Sequence, residues 1–225
     1  MDEHRQQWNA EMRALPAALK HPAEHAAALA LFLRLHAAVH SGQMTAGPFP
    51  SFEDAVWEGW SDAQARITPP GMQHSIAWIT WHLTRCEDIT FNILVAGCEQ
   101  VLHAEGWLER TAAPIRDTGN TLDLAAVDAF SAAVDLPALR AYRVAVGRRT
   151  REIVQSLPPG SFPQPVDAAR APRIIAEGAV AEGAYGLVDY WASRTIGGLL
   201  AMPATRHPMV HWSEAFKVKK KIGLF

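Results

Sequence analysis

The chain has 225 residues, 49% hydrophobic and 20% charged, with a net charge of −2. That length and composition exclude a disordered polypeptide and allow one domain with a sizeable core. The near-neutral balance gives no whole-protein drive toward nucleic acid or anionic lipid, and two cysteines exclude a disulfide framework or a cysteine zinc finger.

Alanine, leucine, arginine and glutamate dominate, which favours helix. Residues 1–7 are charged and lead into no apolar run with a cleavage site, and no apolar stretch reaches the roughly 18 residues of a membrane helix. Together with two thiols, this predicts a cytoplasmic protein with no membrane partner. Residues 22–40 read as the first helix. Pro22 suits its first turn, and Leu29, Phe32, Leu33, His36 and His40 recur at helical spacing. Ser41 and Gly42 end it, and a Pro/Gly loop follows to Pro50. Ser51 and Asp54 resemble a capping box for a helix over 52–66, which Pro69, Pro70 and Gly71 stop.

Residues 75–95 are the strongest helical segment. Ile76, Ile79, Leu83, Cys86, Ile89 and Ile93 line one side, and Trp78, His82 and Arg85 an adjacent stripe, so burial over much of the circumference is expected. Gly97 is placed to end it, with a further helical stretch at 99–108 and a turn at 117–120. Residues 123–134 and 137–157 read as two helices, the second capped by Asp135 with Pro137 in its first turn. Residues 158–172 are proline-rich and predict a surface loop. Residues 174–200 are apolar and helical but weakened by five glycines. A last helix begins near His207 or Pro208, ends before Gly223 and carries four lysines at 217–221, where a helix C-terminus favours cations. The sum is an all-α chain, arranged as an antiparallel four-helix bundle with additional short helices. It is one domain over 1–225, with the bundle core at about 22–222.

Ten histidines stand out. Three pairs are spaced i, i+4, against about 0.4 expected at random, and such pairs point the same way from a helix. His21/His25 fits an exposed entry turn, because Pro22 disfavours helical geometry at His21. His36/His40 is the cleanest pair by spacing. His207 also precedes a proline, but at a helix start Pro208 would occupy the first turn and leave His211 one turn on. His82 stands alone between Trp81 and Leu83. One histidine from one helix and a pair from another supply three neutral imidazoles and leave a coordination position open.

Four stretches of sequence then matter together. The run SIAWITWHLTRCED at 75–88 resembles the second-helix motif of the DinB-like (DinB/YfiT) superfamily. The run MPATRHPMVHWSEA at 202–215 resembles its terminal-helix motif. Thr118-Gly119-Asn120 and the stretch from Tyr142 to Gly147 fit a bacterial branch of it. The resemblance spans about residues 25–222 and lies in the order and spacing of short motifs. It implies a four-helix bundle holding a divalent metal on three histidines, which map onto His82, His207 and His211. His36 and His40 then become outer-shell or substitute ligands.

Weaker candidates are Glu87, as a catalytic base or a group orienting a ligand, and Cys86, as a ligand, a thiolate or a small buried hydrophobe. Arg206 could hold an anionic substrate group. The resemblance implies a metal-dependent enzyme, with Zn or Ni activating water or a low-molecular-weight thiol in transferase or hydrolase-like chemistry on a small-molecule substrate. The alternative is a non-catalytic metal- or ligand-binding, stress-related protein of the same fold. A homodimer is left open.

Overall fold

The computed structural model describes residues 2–47 and 49–223, and Pro48 of the Pro/Gly loop lies outside them. The chain is all-α, and no strand forms among the described residues. The longer helices are α1 (Asp2–Ala18), α2 (His25–Val39), α5 (Ile76–Asp88), α8 (Leu124–Ala133), α9 (Leu136–Ser156) and α13 (His207–Lys221). The shorter ones are α3 (Phe52–Trp57), α4 (Asp62–Ala65), α6 (Val101–Ala104), α7 (Trp107–Arg110), α10 (Ala171–Ala176), α11 (Gly186–Ala192) and α12 (Ile196–Ala201).

Every residue of α5 is buried. Ser75 caps its first turn by accepting from the Trp78 amide, and the chain continues as a π-helix over Ile89–Ala96. Gly97 ends that helix at φ +68°, in the left-handed region glycine favours. Helix α5 packs on α9, α13 and α8, and its Asp88 binds it further to the chain around it. That carboxylate accepts from Arg85, Asn92, the Tyr142 hydroxyl and the amides of Val101 and Leu102. Four hydrogen-bonded contacts from neutral donors and one from a cation satisfy a charge that would otherwise be costly to bury.

The caps at Ser51 and Asp135 form as expected, and Asp123 caps α8 in the same way. Three expectations need correction. The helix expected over 52–66 is two, because Glu58 leaves the helical region (ψ 129°) and Ser61 starts α4 with a complete capping box. Residues 174–200 form short pieces rather than one helix. Residues 158–172 are not wholly a surface loop: Phe162 and Val166 are buried, and α10 starts inside the segment. Arg170 from this segment donates to the carbonyls of Leu94 and Val95, closing the end of the π-helix.

The sequence reading placed no helix before residue 22. There, α1 buries Trp8, Met12 and Leu15, with Leu19 just beyond its end, and packs on α2 and α12. These side chains belong to the same hydrophobic cluster as the interiors of α2, α5 and α9. The terminal lysines are not all solvated. Lys219 is buried and donates to the carbonyls of Ala55 and Glu58 at the end of α3. No described helix is long and apolar enough to cross a membrane.

Candidate metal centre

Helices α5 and α13 bring three imidazoles together. The ring centroids of His82 and His207 lie 5.0 Å apart, those of His82 and His211 5.0 Å, and those of His207 and His211 4.7 Å. Proline at 208 does not displace His207. Residue 207 is αR (φ −60°, ψ −49°) and is the first residue of α13, as the helix-start placement expected. The π-helix Met202–Arg206 runs directly into α13, with Arg206 αR and the His207 amide donating to the Met202 carbonyl, so the missing amide of Pro208 falls just after the wider π-turn rather than in a regular α-helical ladder.

The surroundings orient two of the three rings. His82 Nδ1 lies 2.8 Å from the Thr118 carbonyl, which can only accept, so Nδ1 carries the proton and Nε2 the lone pair. His211 Nδ1 likewise donates to Glu214 Oε2 at 3.0 Å, while His74 Nδ1 donates to the other oxygen of Glu214 at 2.8 Å. His74, Trp78 and His82 stack in sequence on one face, with centroids 3.7 and 4.7 Å apart. Burial pulls His82 down to about 3, with the His211 and His74 imidazoles adding to the effect against the Thr118 hydrogen bond. Burial, with His82 and His211, holds His207 well below its ordinary range. Burial alone would raise Glu214, but hydrogen bonds from His211 and His74 outweigh it and hold it at about 2. Near neutral pH, His82 and His207 are therefore neutral, the form that binds metals.

His82 Nε2 and His207 Nε2 lie 3.1 Å apart. With the His82 proton on Nδ1, two nitrogens face each other and share at most one proton, and His207 Nδ1 is buried without a partner. Two imidazole ligands of one ion, each about 2.1 Å from it, sit about 3.0–3.4 Å apart for angles between 90° and tetrahedral. The residues present fit a cation. Donor atoms of His82, Cys86 and His207 all lie within 4.8 Å of one another. These three line a cavity of about 90 Å³, closed by Leu187, Tyr190, Trp191, Met202 and Pro203, with the Asn120 amide as a further polar group. Burial pushes the Cys86 thiol up.

His36, His40 and Glu87 form a second group. His36 Nε2 and His40 Nε2 each donate to one oxygen of Glu87 at 2.9 Å, and all three side chains are inaccessible to solvent. Burial pulls His40 down to about 3, with the Arg143 guanidinium adding to it, and burial also lowers His36. Burial alone would raise Glu87, but His40 and His36 hold it well below the usual carboxylate range. These donor atoms too lie within 4.8 Å of one another, and both groups are compatible with a divalent metal. Both oxygens of Glu87 are thus engaged, and neither it nor His36 or His40 lines the cavity beside His82. Arg206 is exposed and lines a different, surface depression with Arg5, Trp8 and Ser213.

A family model for the DinB superfamily matches residues 54–214. The chain belongs to the DinB superfamily. No curated protein matches it. The matched segment of this DinB-superfamily chain holds His82, His207, His211, Cys86 and Glu87, whereas His36 and His40 precede it.

The sequence reading passed over three of the groups that position the rings. Thr118 stood out only within the Thr118-Gly119-Asn120 motif, with no link to His82, and Glu214 only by its i, i+3 spacing from His211. The His74, Trp78, His82 ladder was visible as an i, i+4, i+8 stripe, but His74 lies before the helix start.

Proposed function

We propose that this protein is metal-dependent, with a divalent transition metal held by His82, His207 and His211 beside the cavity, and that it acts on a small molecule. The observation that carries this is the facing pair of Nε2 atoms, 3.1 Å apart, inside a cluster of three imidazoles, two of which have their outer nitrogen tied, His82 to Thr118 and His211 to Glu214. Rings locked in this way are what a ligand set needs before the ion arrives. A bound Zn²⁺ or Ni²⁺ supplies Lewis acidity, which makes water or a low-molecular-weight thiol a nucleophile near neutral pH. The chain's own residues would do the rest. Tyr190, Trp191 and Met202 exclude water from the reacting group, and the Asn120 amide is the polar contact that can orient it. Thiol transfer or hydrolysis is the expected reaction class.

Elemental analysis of the purified protein, before and after reconstitution with Zn²⁺ and Ni²⁺, tests the centre. About one equivalent is expected for the wild type, and less than about a tenth for His82→Ala and His207→Ala. Sub-stoichiometric metal in the reconstituted wild type would overturn the proposal. Turnover of an electrophile with and without added thiol then separates transfer from hydrolysis.

A non-catalytic metal- or ligand-binding role is favoured by one observation, the small size of the cavity, about 90 Å³. Full metal occupancy with no turnover of any electrophile or ester would support it.

A further inference from the structure

Cys86 lies one turn beyond His82 on α5 and is 2% exposed. Its Sγ is 3.8 Å from His82 Nε2 and 4.0 Å from His82 Nδ1. Among the described residues, no oxygen acceptor is placed against this thiol, whereas Cys98 finds the Ala96 carbonyl at 3.7 Å. Cys86, His82 and His207 line one cavity, and their donor atoms converge within 4.8 Å. His211 packs its ring behind them and is not part of that lining.

We propose that Cys86 is a thiolate ligand of the ion held by His82 and His207, which gives the centre a mixed nitrogen and sulfur donor set. This rests on the metal-binding function proposed above. Metal–nitrogen and metal–sulfur bonds of about 2.05 and 2.3 Å at a tetrahedral angle separate N from S by about 3.5 Å. At 3.8 Å from Nε2 and 4.0 Å from Nδ1, Sγ lies over the face of the His82 ring, so ligation takes a change of the Cys86 side-chain rotamer. An i, i+4 pair on one helix offers both donors from the same face without any movement of the backbone. As the sulfur–metal bond forms, the thiol proton leaves to solvent, and no oxidation or reduction takes place. A coordinating ion deprotonates a thiol outright, so burial of the free thiol is no obstacle. Two consequences follow for the chemistry. A thiolate selects Zn²⁺, Co²⁺ or Cd²⁺ over the hard ions Mg²⁺ and Ca²⁺. It also lowers the net charge of the centre by one, which tempers Lewis acidity.

Titration of the full-length protein with Co²⁺, followed by absorption spectroscopy, tests this. The wild type and Cys98→Ser are expected to show visible cobalt bands and a near-ultraviolet sulfur-to-cobalt charge-transfer band. Cys86→Ser and Cys86→Ala should keep the visible bands and lose the near-ultraviolet one. Their cobalt affinity should fall by more than about tenfold, since even outer-shell partners are worth about 10–100-fold. Because the chain has only two cysteines, a charge-transfer band that survives Cys98→Ser belongs to Cys86 even if the Cys86 variants do not fold. Visible bands without the near-ultraviolet band in the wild type would overturn the role of Cys86 and leave the histidine centre standing. No cobalt uptake by the wild type would overturn both.

Discussion

Single side chains set the chemistry of the centre through their second hydrogen bonds. Glu214 holds His211 and His74 together, one on each oxygen. Replacing it with alanine frees the His211 ring and is expected to weaken metal binding about 10–100-fold, read by chelator competition. Unchanged affinity would show that His211 needs no such partner. The other histidine group depends on a missing side chain. A Cβ at Gly147 would lie 2.7 Å from His40 Nδ1 and 2.9 Å from Met44 Cγ, so only glycine leaves room for the His40 ring. Gly147→Ala is expected to cost about 1–3 kcal/mol in urea unfolding, the usual penalty for overpacking. The spaced histidine pairs were readable beforehand, because side-chain spacing on a helix is a property of the helix. The partner of Glu87 was not, since His36 and His40 lie 51 and 47 residues away along the chain.

Secondary structure places these side chains, and its legibility varied with the strength of the local signal. Helix α5 carries a capping serine and a long apolar pattern, and both survive in the fold. Helix α1 carries a thin stripe of Trp8, Met12, Leu15 and Leu19 among charges, a pattern that becomes a helix when it packs on α2 and α12. Trp8 is 1% exposed, and its indole N–H donates to the Leu35 carbonyl at 3.1 Å. Trp8→Ala should therefore cost about 3–5 kcal/mol, read from the shift in urea midpoint. A loss under about 1 kcal/mol would show that α1 is not part of the cooperative core. Three proline or glycine signals were correctly placed: Pro22, Pro137 and Gly97. The break at Glu58 was not, although Gly59, at φ +77°, and the Ser61 cap follow it directly, and α3 packs against α13 at this point.

Across the molecule, buried ionisable groups make the apoprotein acid-labile, with a sign that can be worked through. His40 is neutral in the folded state down to about 3, whereas in the unfolded chain it takes up a proton near its ordinary 6.5. Between those values the unfolded state binds more protons, so stability falls as pH drops. Glu87 acts in the same direction: its depressed folded value stabilises above its ordinary 4.5, and that contribution is lost as pH falls through the folded value. Each imidazole kept neutral contributes a slope of up to about 1.4 kcal/mol per pH unit. Urea unfolding of the metal-free protein from pH 7 to pH 4 should show the decline, and His36→Gln/His40→Gln should flatten it. A pH-independent midpoint would mean that these histidines are protonated in the fold. The pattern of apolar residues and caps was sufficient for the all-α class, for α5, α8 and α9 and for the helix start at His207, because each depends on neighbours within a turn or two. The order of the short motifs, through their resemblance to the DinB superfamily, pointed to His82, His207 and His211 as the candidate ligands. The convergence of His82, His207 and Cys86 on one cavity, the clamp of His36 and His40 on Glu87, and the tie between Glu214 and His74 came from packing alone. Each joins residues on different helices or across a loop, and no local rule fixes the rotation of one helix against another.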